Sequence, residues 1–305
     1  KKIISNFNFY KKKYKRIKKK LNLIVEDNKV FVSDNIGYLY SFNYKFNKIL
    51  WAKNYKIPFR SNLKIIKDKL VGANQNNTLY FFDKNTGDIL KQIPTEESIV
   101  KNEFENNLST GDNFTFFLNT YGTLYTINNK TLKILWFLNL NQSSDLNPSN
   151  LFSGSQIVNS NDKILISSNI FTYILDKQSG KILFRKNFST SIKPIINNNN
   201  IFLVSKNNFL IAFSLIDGKI IYSYDINDEI SKFLKIKKGK AKFRNIFIVK
   251  DKIYVFLKNS HILKFNIDGS LFEVIKLPHK IHSDPIFSDK ELYYIDRKNK
   301  ILSIS

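Results

Sequence analysis

Few side chains in this sequence have the types and spacing that chemistry requires. There is no cysteine, so disulfides and thiolate metal sites are excluded. His279 and His282 form an H-x-x-H pair between Pro278 and Pro285, with Asp284 the one near candidate for a third ligand. Two imidazoles without a firm third donor read as solvated loop histidines. His261 falls within a strand-like run. The dense chemistry is cationic: 49 Lys and Arg against 25 Asp and Glu leave a net charge of +24. Residues 11–20 hold eight bases in ten positions (Lys11, Lys12, Lys13, Lys15, Arg16, Lys18, Lys19 and Lys20), interrupted by Tyr14 and Ile17. Residues 235–244 hold six bases. Such clusters can take the phosphates of anionic lipid or nucleic acid, and they can equally be solvated loops between strands. Lys, Asn, Ile and Phe are abundant throughout, as AT-biased coding would produce. No RNA-binding sheet or helix-turn-helix signature accompanies the charge, so nucleic acid is not an expected partner. No run approaches the length of a membrane-spanning helix.

The elements that carry these residues are repeats. Gly37-Tyr-Leu-Tyr-Ser-Phe with Asn47-Lys-Ile-Leu-Trp51 recurs as Asn77-Thr-Leu-Tyr-Phe-Phe with Gly87-Asp-Ile-Leu-Lys91. It returns as Gly122-Thr-Leu-Tyr-Thr-Ile with Lys133-Ile-Leu-Trp136, then from Ile170 to Phe184 and from Asn208 to Tyr222. A shorter sixth copy starts at Ser260, and a seventh starting at Asn299 stops halfway. The starts lie 38 to 52 residues apart, the length of a four-stranded propeller blade. A pair of short β-branched runs precedes each copy, as in Leu23-Ile-Val and Val30-Phe-Val. Thr86-Gly87, Ser179-Gly180 and Asp217-Gly218 stand where a tight hairpin needs positive φ. Leu39 and Ser41 alternate with Tyr40 and Phe42, and both faces are largely apolar, which suits a blade packed between two others. The stripe Trp51, Trp136, Phe184 and Tyr222 occupies one repeat position and reads as docking between blades. No stretch shows helical periodicity over ten residues.

The frame, fullest from Asn77 to Lys91 with Asp83 and Thr86-Gly87, resembles the repeat of the pyrroloquinoline-quinone-dependent dehydrogenases and their non-enzymatic relatives. The expectation is an all-β, single-domain β-propeller over residues 1–305, of four-stranded blades, with seven repeats visible and an eight-bladed parent. The blades are expected around 21–55, 61–94, 99–140, 155–188, 192–226, 243–277 and 284–305. Residues 1–9 resemble the outer strands and are expected to complete a blade. The end of the chain, from Asp284-Pro through Leu292-Tyr-Tyr-Ile to Lys300-Ile-Leu-Ser-Ile-Ser305, is similar to that of the outer-membrane protein assembly factor BamB family. That resemblance implies a non-catalytic scaffold without cofactors at the periplasmic face of the outer membrane. It further implies a lipid anchor on an N-terminus that this chain lacks. The implied partners are the POTRA domains of the assembly barrel and unfolded outer-membrane clients; the basic run Lys11 to Lys20 adds an anionic membrane surface as an expected contact for a protein tethered at a membrane. In the family's register the partner contact falls on the connection 141–154, with Asp145, Leu146, Asn147, Pro148, Asn150 and Leu151 as contact residues. Phe152 is expected to start the next inner strand. The enzyme reading, a quinone-dependent oxidoreductase, lacks the vicinal disulfide of similar enzymes, since there is no cysteine.

Overall fold

Short β-branched and aromatic runs separated by Asn, Asp and Lys turns form antiparallel meanders, because each turn brings a strand back beside its predecessor. The first blade shows the pattern in Leu21–Glu26, Lys29–Asp34, Tyr38–Asn43 and Lys48–Asn54, paired in sequence order. The structure is a computed structural model that describes residues 9–14, 16–97, 107–141, 152, 154–190, 192–234, 241–288, 291–296, 298 and 300–304. Among them are six four-stranded sheets and one three-stranded sheet, the seven blades of an all-β propeller. The sheets span 21–54, 64–93, 107–139, 158–186, 195–225, 243–276 and 286–304. The three strands of the last end at Ile301–Ile304. Residues 1–8, expected as an outer strand, lie outside the described residues, and Phe9 is not in a strand.

The chain divides into two compact units, Lys1–Ser153 with Lys177–Gly180, and Gly154–Asp176 with Lys181–Ser305. Within the first, the strands of the second blade send alternate side chains to opposite sides. Leu70, Tyr80 and Phe82 join Phe31 and Leu39 of the first blade. Val71, Leu79 and Phe81 join Phe117, Tyr125 and Ile127 of the third. The second unit repeats this: Ile201, Leu203, Ile211 and Phe213 pack with Leu165 and Ile174, while Phe202, Val204, Leu210 and Ala212 pack with Ile253, Val255 and Leu263. Period-2 side chains on a sheet covered on both faces require this division. Removing one such fully buried side chain costs about 2–5 kcal/mol.

A β-bulge recurs between the third and outer strands of all six four-stranded blades, at Ser41/Phe42, Phe81/Phe82, Thr126/Ile127, Ile174/Leu175, Ala212/Phe213 and Lys264/Phe265. The extra residue turns outward: Leu50, Leu90, Leu135, Leu183, Ile221 and Phe272 are 36% to 53% exposed. Where the residue beside it is aromatic, it covers a glycine turn of the next blade. Trp51 covers Gly87 and donates from Nε1 to the Lys84 carbonyl at 3.1 Å. Trp136 covers Gly180 and donates to the Lys177 carbonyl at 2.9 Å, which groups the turn 177–180 with the first unit. In the second unit the Tyr222 hydroxyl donates to the Ile267 carbonyl at 3.0 Å, at the same repeat position.

One helix, Ile226–Leu234, fills the connection between the fifth and sixth blades. Asp225 caps it, accepting from the Asn227 amide at 2.9 Å. Ile226 and Ile230 pack into the core between those blades. Its nine residues are too few for the ten-residue periodicity sought in the sequence. Among the described residues no helix is long and apolar enough to cross a membrane.

Candidate functional site

In a four-stranded meander, the turn between the second and third strands shares one end with the connection to the next blade. In the first three blades an Asx turn builds that hairpin. Asp34 Oδ1 accepts from the amides of Ile36 and Tyr38, both at 2.8 Å. Asn74 accepts from Asn76 and Thr78, and Asn119 from Tyr121 and Thr123. The third residue after each, Gly37, Asn77 or Gly122, has positive φ. Its carbonyl accepts the returning chain: Tyr55 N donates to Gly37 and Leu140 N to Gly122, both at 2.8 Å, and Thr95 Oγ1 to Asn77 at 2.7 Å.

The connection after the third blade is held at both ends on the single turn Asn119–Thr123. Leu140, 2% exposed, enters it. Phe152, also 2% exposed, leaves it, donating its amide to the Thr120 carbonyl at 3.0 Å. The Phe152 ring lies against Gly122, where any Cβ would stand 2.5 Å from the ring. Phe152 therefore anchors the connection and does not start the next inner strand, which begins at Val158. The expected contact residues Asp145, Leu146, Asn147, Pro148, Asn150 and Leu151 lie outside the described residues.

Polar bonds fix the same turn to the second blade. The Glu96 carboxylate accepts from Asn119 Nδ2, from Thr123 Oγ1 at 2.9 Å and from the Tyr125 hydroxyl at 2.7 Å. Asn77 Nδ2 donates to Thr120 Oγ1 at 2.8 Å. Burial pushes the Glu96 pKa up, but the bonds from Tyr125, its own backbone, Thr123 and Asn119 outweigh that, and the net shift is downward. Burial and the Glu96 carboxylate raise the Tyr125 hydroxyl. The recurring Asx residue at the start of each turn was the available sequence signal for this end; Glu96 itself carried none.

The basic segment is strapped across the equivalent turn of the first blade. Phe9 stacks on Tyr40 at 4.4 Å and meets Tyr38 edge-on, and Tyr14 meets Tyr38 edge-on. The Tyr10 hydroxyl donates to Oδ2 of fully buried Asp34 at 2.6 Å. Burial first, then the bond to Asp34, drives the Tyr10 pKa far up. Asn35 closes the other end, donating to the Lys18 carbonyl at 3.1 Å and accepting from the Lys20 amide at 2.9 Å. Lys19 lies over the Tyr10 ring at 5.1 Å. Lys11, Lys12, Arg16, Lys18 and Lys20 are exposed. Lys15 and the side chain of Lys13 lie outside the described residues.

A family model described as outer membrane protein assembly factor BamB matches residues 15–224 and again residues 111–305. The chain belongs to the BamB family. Among solved structures it is similar to BamB from Moraxella catarrhalis, with a TM-score of 0.74 and 12% identity over 93% of this chain and 83% of that one. It is also similar to the computationally designed Ika8 protein, with a TM-score of 0.70 and 14% identity over 93% of this chain and 82% of that one. At these identities the structural likeness is one of fold, and a designed protein shares it, so function must come from sites. No curated protein matches the chain.

Elsewhere in this BamB-family chain the remaining candidates do not converge. His279 and His282 are both exposed. The His282 carbonyl accepts from Arg244 at 3.1 Å, and Asp284 lies 4.0 Å from the same guanidinium. Among the described residues no three His, Asp or Glu side chains are placed to share a metal ion. His261 begins a third strand and sits 3.2 Å from Asn259 Oδ1. Residues 235–240 of the second basic cluster lie outside the described residues.

Proposed function

We propose that this chain is a non-catalytic scaffold for outer-membrane β-barrel assembly, working at the periplasmic face of the outer membrane. It binds the POTRA domains of the assembly barrel through the connection 141–154. Family membership supports the setting. The observation that carries the site is the double anchorage of that connection on one turn by Leu140 and Phe152. A polar loop with apolar residues has what the centre of an interface needs when its base is fixed in advance, because less ordering entropy is lost on binding. Leu146 and Leu151 are proposed as the apolar anchors, with Asp145, Asn147, Pro148 and Asn150 next to them in the sequence.

The test is calorimetric titration against the isolated POTRA domains of the cognate barrel, at low and at high salt. One-to-one binding that survives high salt, and that Leu146→Ala weakens about tenfold or more, is the expected result. Absence of binding by the full-length protein overturns the assignment and leaves the fold standing.

A further inference from the structure

We propose that the strap 9–20 is a contact site for an anionic lipid bilayer, presenting Lys11, Lys12, Arg16 and Lys18 around the apolar side chain of Ile17. The four cations are exposed, and no ion pair among the described residues involves any of them. Carboxylates elsewhere on the chain do pair with nearby cations, as in Glu26 with Lys84 and Asp228 with Lys232. The strap thus gathers four cations with no ion-pair partner among the described residues.

Its support differs from that of an ordinary solvated charge run. The Tyr10–Asp34 bond, the ring cluster of Phe9, Tyr14, Tyr38 and Tyr40, and the two Asn35 bonds hold it on the first blade at both ends. Cations on such a support lose little freedom when they meet a surface of phosphates. Each Lys or Arg close to an anionic bilayer adds attraction that salt screens, and the terms add over the cluster.

Ile17 selects a bilayer over a phosphate polymer. It is 44% exposed in the middle of the cluster, between Arg16 and Lys18. A branched aliphatic side chain gains nothing beside a sugar-phosphate backbone, but it can enter the interface between headgroup and acyl chain. The strap crosses the turn 34–37. The connection 55–62 ties that end to the second blade, through Phe59 N to the Asp34 carbonyl at 3.1 Å and Gln75 N to the Pro58 carbonyl at 2.8 Å. Asn77 and Thr120 tie the second blade's end in turn to the turn that bears the connection 141–154. Within the first unit, strap and connection share one end, so lipid contact there bears on how a partner is approached. The inference does not depend on POTRA binding.

Flotation of the full chain with vesicles tests it. One set holds one part anionic to three parts neutral phospholipid, and the other is neutral throughout. Binding to the anionic set alone is expected, falling steeply with added salt. The quadruple substitution Lys11→Ser, Lys12→Ser, Arg16→Ser, Lys18→Ser is expected to weaken it at least tenfold, with far-UV circular dichroism confirming the fold. The same four positions changed so that all are Arg should retain binding. Ile17→Ser should weaken vesicle binding several-fold and leave binding to a short oligonucleotide unchanged. No preference for anionic vesicles, no loss in the quadruple variant, or tighter binding to the oligonucleotide than to vesicles overturns the proposal, the last in favour of a nucleic-acid surface.

Discussion

The junction side chain after each bulge is chosen together with the turn it covers. Where the side chain is a ring, the turn offers glycine: Trp51 over Gly87, Trp136 over Gly180, Phe184 over Gly218, and Tyr222 over Gly269. Between the second and third blades the ring is replaced by Lys91, and the turn residue at the equivalent position is Leu132, held at φ 54°. A Cβ on Gly87 would stand 2.6 Å from the Trp51 ring, on a backbone at φ 74°. Gly87→Ala is therefore expected to lower stability by about 1–3 kcal/mol, from strain and overpacking together. In a Trp51→Lys background, which copies the natural Lys91 junction, the same substitution should cost less. Urea unfolding of the four proteins in a cycle measures that coupling. Additive losses would show that the ring does not demand the glycine. At the Tyr222 junction, Tyr222→Phe should cost about 0.5–1.5 kcal/mol, the net contribution of the bond to the Ile267 carbonyl.

At the scale of elements, the candidate site is a connection with two fixed ends. Phe152→Ala removes a ring that is 2% exposed and should cost about 3–5 kcal/mol in unfolding experiments. Its effect on partner binding should exceed what the loss of fold explains, because one end of the connection is released. A loss confined to stability would separate the anchor from the site. The Glu96 bonds give this end a pH dependence. Its carboxyl is held below its ordinary range in the folded protein. The stabilisation is therefore complete above the unfolded value and disappears as pH falls through the folded one. Glu96→Gln should be less stable than the parent at neutral pH, and the gap in urea midpoint should close on acidification through about pH 4. A gap that persists in acid would mean the amide's own mismatch, not the lost charge, sets it. The repeated strand frame, the two-sided blades and the ring stripe were legible in the sequence, since period-2 patterning and turn residues are local signals. The clasp of Tyr10 on Asp34, the Glu96 network and the anchoring of Phe152 were not. Each joins residues 23 to 32 positions apart whose types suit many loops. The helix Ile226–Leu234 was hidden for a different reason: it is a nine-residue insertion stabilised by a cap and two buried isoleucines.

For the whole molecule the surplus charge outweighs any single contact. The 49 basic and 25 acidic side chains leave 24 positive charges that repel one another in the folded state and are spread further apart on unfolding. Against this stand nine ion-pair contacts among the described residues, most of them on exposed side chains where solvent screens the attraction. Salt screens repulsion and attraction alike, and here repulsion is the larger sum. The thermal midpoint should rise as sodium chloride increases from about 0.02 M to about 0.5 M, most steeply at the low end, where the screening length shrinks fastest. Neutralising Lys11, Lys12, Arg16 and Lys18 should raise the midpoint at low salt, and the two curves should converge at high salt. A midpoint that falls with salt would mean that pairs such as Glu26–Lys84 govern stability instead. Convergence would show that the strap's cations oppose folding, so that keeping them exposed on a strap held to the first blade has to be explained by what they meet outside the chain.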